Sequence, residues 1–91
     1  MITILEVSGE GCAGCRARVP DLPRLTRERG IPLEHLEASL ENAARMKALK
    51  IEHLPTVFLL KDGSPFARVA GNQPAELLAV WLDVKLSEAA R

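Results

Sequence analysis

The sequence predicts an α/β fold: a four-stranded mixed sheet flanked by helices, in the order β-α-β-α-β-β-α. Three observations predict it. A short, β-branched apolar run at residues 2–8 gives way to helical spacing of apolar residues from Cys12 onward. A second apolar run, Thr56-Val57-Phe58-Leu59-Leu60, is followed by Lys61-Asp62-Gly63-Ser64 and a returning strand, which is the pattern of a hairpin. The chain then closes on a long stretch rich in Ala and Leu from Gln73 to about Ala89.

Each element has its own justification. Residues 2–8 are nearly all apolar, as a strand buried on both faces should be, and Glu6 is the exception. Ser8-Gly9-Glu10-Gly11 reads as a flexible turn into the first helix. From Cys12 to about Arg29, Cys15, Val19, Leu22 and Leu25 follow helical spacing, while Arg16, Arg18, Asp21, Arg24, Arg27 and Glu28 take the other faces. Pro20 and Pro23 fall inside this pattern and predict a kink near Pro20 and a break at Pro23, because each removes a backbone donor. Gly30 ends the segment.

Residues 31–38, with Ile31, Leu33 and Leu36, predict a second strand. It follows a crossover helix and should therefore pair parallel to the first. Ser39 reads as an N-cap before a helix over residues 40–50. The third strand is Thr56 to Leu60 and the fourth is Phe66 to Ala70, broken by Gly71-Asn72. In the last helix Leu77, Leu78, Val80, Trp81 and Leu82 offer one broad apolar face, and Pro74 sits where a first-turn proline is tolerated.

The 91 residues suit one domain, residues 1–91, burying roughly two-thirds of its unfolded surface without staples. Net charge is zero and the basic residues are dispersed, so neither a nucleic-acid nor a membrane partner is expected. No apolar run approaches a membrane span, and Met1 to Val7 lacks the features of a signal peptide. A cytoplasmic monomer is the expectation. Phe58, Phe66 and Trp81 are the aromatic residues, so the core must be aliphatic.

Both cysteines lie in Gly11-Cys12-Ala13-Gly14-Cys15, at the junction of the first strand and first helix. Two cysteines so close are no disulfide framework of the kind small secreted domains use. At a helix N-terminus, unpaired backbone N–H groups and the helix dipole favour a thiolate on Cys12. Cys15 lies on the same side of the first turn and can close a disulfide with it. This is the arrangement of a dithiol that cycles.

The wider pattern carries a resemblance. Cys12-Ala13-Gly14-Cys15, Pro20 five residues after the second cysteine, Leu54-Pro55-Thr56, Lys61-Asp62-Gly63 and Gly71 stand at the spacing of the thioredoxin family. Over nearly its whole length the chain resembles a thioredoxin fold trimmed of its first strand and helix, close in size to glutaredoxins and short thioredoxin-like proteins. The resemblance implies a thiol-disulfide oxidoreductase. Cys12 would attack a client disulfide and Cys15 would resolve the mixed disulfide. Glu6, six residues before Cys12, stands at the place of the family's buried acid and would accept the Cys15 proton. Pro55 would be cis and expose the backbone of Leu54 to an incoming peptide, with Gly71 alongside. The cofactor would be none beyond the Cys12–Cys15 disulfide. Partners would be client proteins with disulfides, and a reductase or glutathione as electron donor.

Two departures bear on specificity. Gly11 stands where thioredoxins carry Trp, and Ala13-Gly14 replaces Gly-Pro between the cysteines. Two other readings stay open. The segment Val7 to Cys15 also resembles the metal-binding loop of heavy-metal-associated domains, which would make the protein a carrier of a soft, copper-type ion. The dithiol could also serve an adaptor that senses redox state without turnover. Structural zinc needs four ligands, and two cysteines with the distant His35 and His53 do not suggest it, so no metal site is expected. Neither histidine is assigned a role: His53 reads as an exposed loop residue and His35 as a strand residue.

Overall fold

The structure, a computed structural model, describes residues 1–9 and 19–91. Its elements are β1 (Ile2–Ser8), α1 (Leu22–Glu28), β2 (Leu33–Glu37), α2 (Ala43–Ala48), β3 (Thr56–Lys61), β4 (Ser64–Ala70) and α3 (Ala75–Ala89). The strands form one sheet in the order β2-β1-β3-β4. β1 pairs parallel with β2 and antiparallel with β3, and β3 pairs antiparallel with β4. The chain order of the elements, the parallel β1–β2 pair and the antiparallel β3–β4 hairpin are as the sequence predicts.

Alternation along the strands divides the core in two. On one face Ile4, Val57 and Leu59 pack with Val19, with Leu22 and Leu25 of α1, and with Leu78, Leu82 and Ala89 of α3. On the other, Leu5, Val7, Phe58 and Leu60 pack with Leu36 and Leu49, and Met46 of α2 lies against them. Both faces of β1 and β3 are therefore covered, which is why these strands read as continuous apolar runs.

The first helix departs from expectation at Pro23. Of the predicted span from Cys12 to Arg29, residues 10–18 lie outside the described residues, and a turn at Pro20 and Asp21 precedes α1. Pro23 does not break the helix. It sits in the first turn, where an N–H would have no helical partner to lose, so the ring opens α1.

The second helical segment is also shorter than predicted. Ser39 has an extended backbone but makes no side-chain cap. Instead the Asn42 Nδ2–H donates to the Glu37 carbonyl at 2.7 Å, and a 3-10 turn at Leu40–Asn42 precedes α2. Lys50, with φ of 54°, closes the end of this segment in the left-handed region.

The hairpin between β3 and β4 turns on Asp62 and Gly63, with φ of 52° and 82°, the two positive angles of a type I′ turn. This two-residue loop lets β4 begin at Ser64, two residues earlier than predicted. Pro65 is accommodated because β4 is an edge strand, and a register shift follows between Leu59 and Leu60.

α3 begins after Pro74, whose carbonyl accepts from the Leu77 and Leu78 N–H groups. The single broad apolar face predicted for it is divided in the structure. Leu78 and Leu82, four residues apart, are buried, and Trp81 packs beside them. Leu77 and Val80 fall on the opposite side and are exposed. Arg29 forks onto Asp83 at 2.8 and 3.1 Å and ties α1 to α3. That pairing raises the Arg29 pKa and lowers that of Asp83.

Arg68 completes the second core. Its guanidinium lies 4.7 Å from the Phe58 ring centroid. The Nη1–H donates to the Lys50 carbonyl at 2.8 Å and the Nη2–H to the Leu49 carbonyl at 2.7 Å. The side chain thus caps the carbonyls that end α2 while it shields a buried ring. Arg68→Ala should lower stability by about 1–2 kcal/mol through loss of these charge-assisted bonds and the stacking. Arg68→Lys should recover only part of it, since an ammonium lacks the planar fork. Urea denaturation of both variants would check this, and equal midpoints for wild type and Arg68→Ala would refute it.

Candidate active site

The candidate site lies where β1 runs out. Cys12 and Cys15 fall outside the described residues, in the segment that joins Gly9 to Val19. What the structure places is everything that flanks that segment. Glu6, Leu54, Pro55 and Gly71, the other residues singled out in the sequence, are all described.

Glu6 is buried, with 2 % of its surface exposed. On β1 it lies on the same face as Ile4, the face that α1 covers. Its Oε2 accepts the Val19 N–H at 2.7 Å. A carboxylate out of water needs such a donor, and a backbone N–H outside a helix needs an acceptor, so each satisfies the other. The bond also ties the backbone at Val19 to β1.

Leu54-Pro55 is a cis peptide, as the resemblance implies. Pro55 is buried, Leu54 is half-buried, and the Thr56 hydroxyl donates to the His53 carbonyl. The Gly71 N–H donates to the Pro55 carbonyl at 2.8 Å and joins the turn after β4 to the proline loop. A Cβ on Gly71 would stand 2.8 Å from Val19 Cγ2 and 3.1 Å from Pro55 Cγ. Three distant segments therefore meet at Val19, Pro55 and Gly71, and only glycine lets them close. Gly9 plays the same part at the other end of the cysteine segment. A Cβ there would stand 2.9 Å from Ala38 Cβ and 3.6 Å from Leu54 Cδ1.

Gly71→Ala should cost about 1–3 kcal/mol, because the methyl group meets a rigid proline ring and a buried valine rather than a flexible chain end. Denaturant midpoints would measure it. An unchanged midpoint would show that the contact relaxes without cost.

His35 was assigned no role from the sequence, yet it enters this region. Its Nε2 lies 2.7 Å from the Ser8 Oγ, and β1–β2 pairing sets His35 directly beside Glu6. The alternation Glu6-Val7-Ser8 already placed Glu6 and Ser8 on one face, and parallel pairing with residues 31–38 was the signal that could have brought His35 to them. His53 is exposed, as expected, on the rim of a shallow cavity of about 210 Å³ lined also by Glu52, Thr56 and Arg68. Among the described residues no helix is long and apolar enough to cross a membrane.

No family model matches the chain. Individual proteins do. The chain is 32 % identical over 86 residues to a thioredoxin of Staphylococcus haemolyticus, covering 93 % of this chain and 83 % of that one. Among solved structures, thioredoxin 1 of Thermosipho africanus superposes with a TM-score of 0.75 at 19 % identity, over 98 % of this chain and 99 % of the other. A thioredoxin f2, solved in complex with ferredoxin:thioredoxin reductase, matches with a TM-score of 0.70 at 22 % identity, over 92 % and 77 % of the two chains. With the sheet order, the cis-proline and the sequence similarity in agreement, the chain belongs to the thioredoxin family, a family of thiol-disulfide oxidoreductases.

Proposed function

We propose that the protein, acting as one domain, exchanges electrons with protein disulfides through the Cys12/Cys15 dithiol. The observation that carries this reading is the meeting of Val19, Pro55 and Gly71 next to a buried Glu6, at the end of the segment that holds both cysteines. Cys12, as thiolate, attacks one sulfur of a client disulfide, and the client's other sulfur leaves with the electron pair. Cys15 then gives its proton to Glu6 and attacks Cys12 Sγ. The Cys12–Cys15 bond forms, the bond from Cys12 to the client breaks, and the client leaves reduced.

The cis Leu54-Pro55 peptide and Gly71 supply the docking edge, where a client peptide binds along the Leu54 backbone. The oxidised protein is recharged by a reductase or by glutathione. The thioredoxin f2 complex with its reductase supports the former. No cofactor beyond the dithiol takes part, and the protein works as a cytoplasmic monomer.

Reduction of insulin with dithiothreitol as recycling reductant tests the reading, measured beside the copper content of the protein as purified. Acceleration of insulin precipitation without bound copper is the expected result. Bound copper without acceleration would replace this reading with a soft-metal carrier. Neither activity would leave a redox-sensing adaptor.

A further inference from the structure

An acid that accepts a proton in every cycle must also give it up, and at 2 % exposure Glu6 has almost no contact with bulk water. The way out is set by the sheet. β2 is the edge strand and β1 its inner neighbour, and Glu6 pairs in register with His35. Neighbours in register on parallel strands project from the same face, with strands roughly 5 Å apart. Ser8, two residues beyond Glu6, shares that face, is 5 % exposed, and lies 2.7 Å from His35 Nε2. His35 itself is only half-buried. On a face otherwise filled by Ile4, Leu33, Val57 and Leu59, three polar side chains run from the interior to the edge.

We propose that His35, held by Ser8, is a positioning residue that conducts the proton between Glu6 and solvent. It acts through Glu6, and the proposal rests on the reading of Glu6 as proton acceptor. After Cys15 has passed its proton to Glu6, the carboxyl releases it across an intervening water to the Ser8 hydroxyl. That hydroxyl gives its own proton to His35 Nε2. The imidazolium then loses one proton to bulk water at the sheet edge. No electrons move in these steps, and the proton lost by Cys15 is the proton gained by solvent. A serine hydroxyl both donates and accepts, so it stays bonded to the ring before and after transfer.

The test starts from the mixed disulfide of Cys12 with a small chromogenic thiol, prepared in acid and mixed rapidly into neutral, weakly buffered solution. Release of the thiol reports the resolving step. His35→Gln keeps a polar partner for Ser8 but cannot take up the proton, so release should slow by roughly tenfold or more. Added imidazole should restore it. Ser8→Ala, which removes the hydroxyl that hands the proton to His35 Nε2, should show the same slowing and the same rescue, and it decides the matter if His35→Gln fails to fold. Glu6→Gln should be slow and unmoved by imidazole, because the acceptor itself is gone. Slow release in His35→Gln that imidazole does not restore would make His35 a structural residue and overturn the proposal. Wild-type release in His35→Gln beside slow release in Glu6→Gln would overturn the relay and leave Glu6 standing. Wild-type release in Glu6→Gln would remove the acceptor, and the relay with it.

Discussion

Cys12→Ser should abolish reduction of protein disulfides, and Cys15→Ser should turn the same protein into a trap. The reaction needs two attacks by two different sulfurs. A serine hydroxyl at position 12 is not ionised at neutral pH and cannot open a disulfide, so no client is engaged at all. With serine at position 15 the first attack still occurs. The mixed disulfide then has no internal thiol to resolve it and persists until an external thiol intervenes. Insulin turnover should fall to the uncatalysed rate in Cys12→Ser and well below wild type in Cys15→Ser, where only dithiothreitol can resolve the adduct. Non-reducing electrophoresis of extracts should show client adducts on Cys15→Ser alone. Adducts on Cys12→Ser instead would exchange the two roles. Wild-type turnover in both would remove this dithiol from the reaction. The replacement changes one atom of each side chain, so a loss of activity with an unchanged denaturation midpoint is chemical in origin.

The second large effect is at Glu6. Glu6→Gln should slow release of the mixed disulfide by roughly tenfold or more, because an amide accepts no proton from Cys15. For a buried carboxylate without a partner the same change would stabilise the protein, since such burial is costly, and for an exposed one it would change nothing. The Val19 N–H supplies that partner at 2.7 Å and removes most of the expected gain. A bond to a charged acceptor contributes about 1.5–3 kcal/mol, and the glutamine carbonyl retains part of it, so Glu6→Gln should lie within about 1 kcal/mol of wild type. Glu6→Ala leaves the Val19 N–H without an acceptor and opens a cavity, and should cost about 2–3 kcal/mol. Turnover and urea denaturation of the two variants separate the roles. Slow turnover in Glu6→Gln at wild-type stability identifies a proton acceptor. Wild-type turnover in Glu6→Gln with instability in Glu6→Ala would identify a tether for Val19 and nothing more.

What the sequence determined by itself was local. The runs at residues 2–8 and 56–60 specify β1 and β3, because alternate residues that are all apolar need cover on both faces. Asp62-Gly63 specifies its hairpin, because two successive positive φ angles admit few other residues. The cis form of Pro55 was legible through resemblance to a family, not through any rule of chain geometry. Local rules failed where a residue had two lawful readings. Pro23 ends a helix if the turn before it is helical and begins one if it is not, and the site of that first turn is not written in the residues around it.

Tertiary structure decided the rest, and the reason is sequence separation. The Val19 N–H reaches Glu6 across thirteen positions, Ser8 reaches His35 across twenty-seven, and Arg68 reaches the Leu49 carbonyl across nineteen. None of these partners leaves a periodic signal, because each bond is formed by one pair of atoms whose meeting depends on how whole strands and helices are laid together. Gly71 shows the same limit from the other side. A glycine after a strand reads as a breaker, but its function here is to leave room for Val19 and Pro55, two residues that only the assembled fold brings within 3.1 Å of an added methyl carbon.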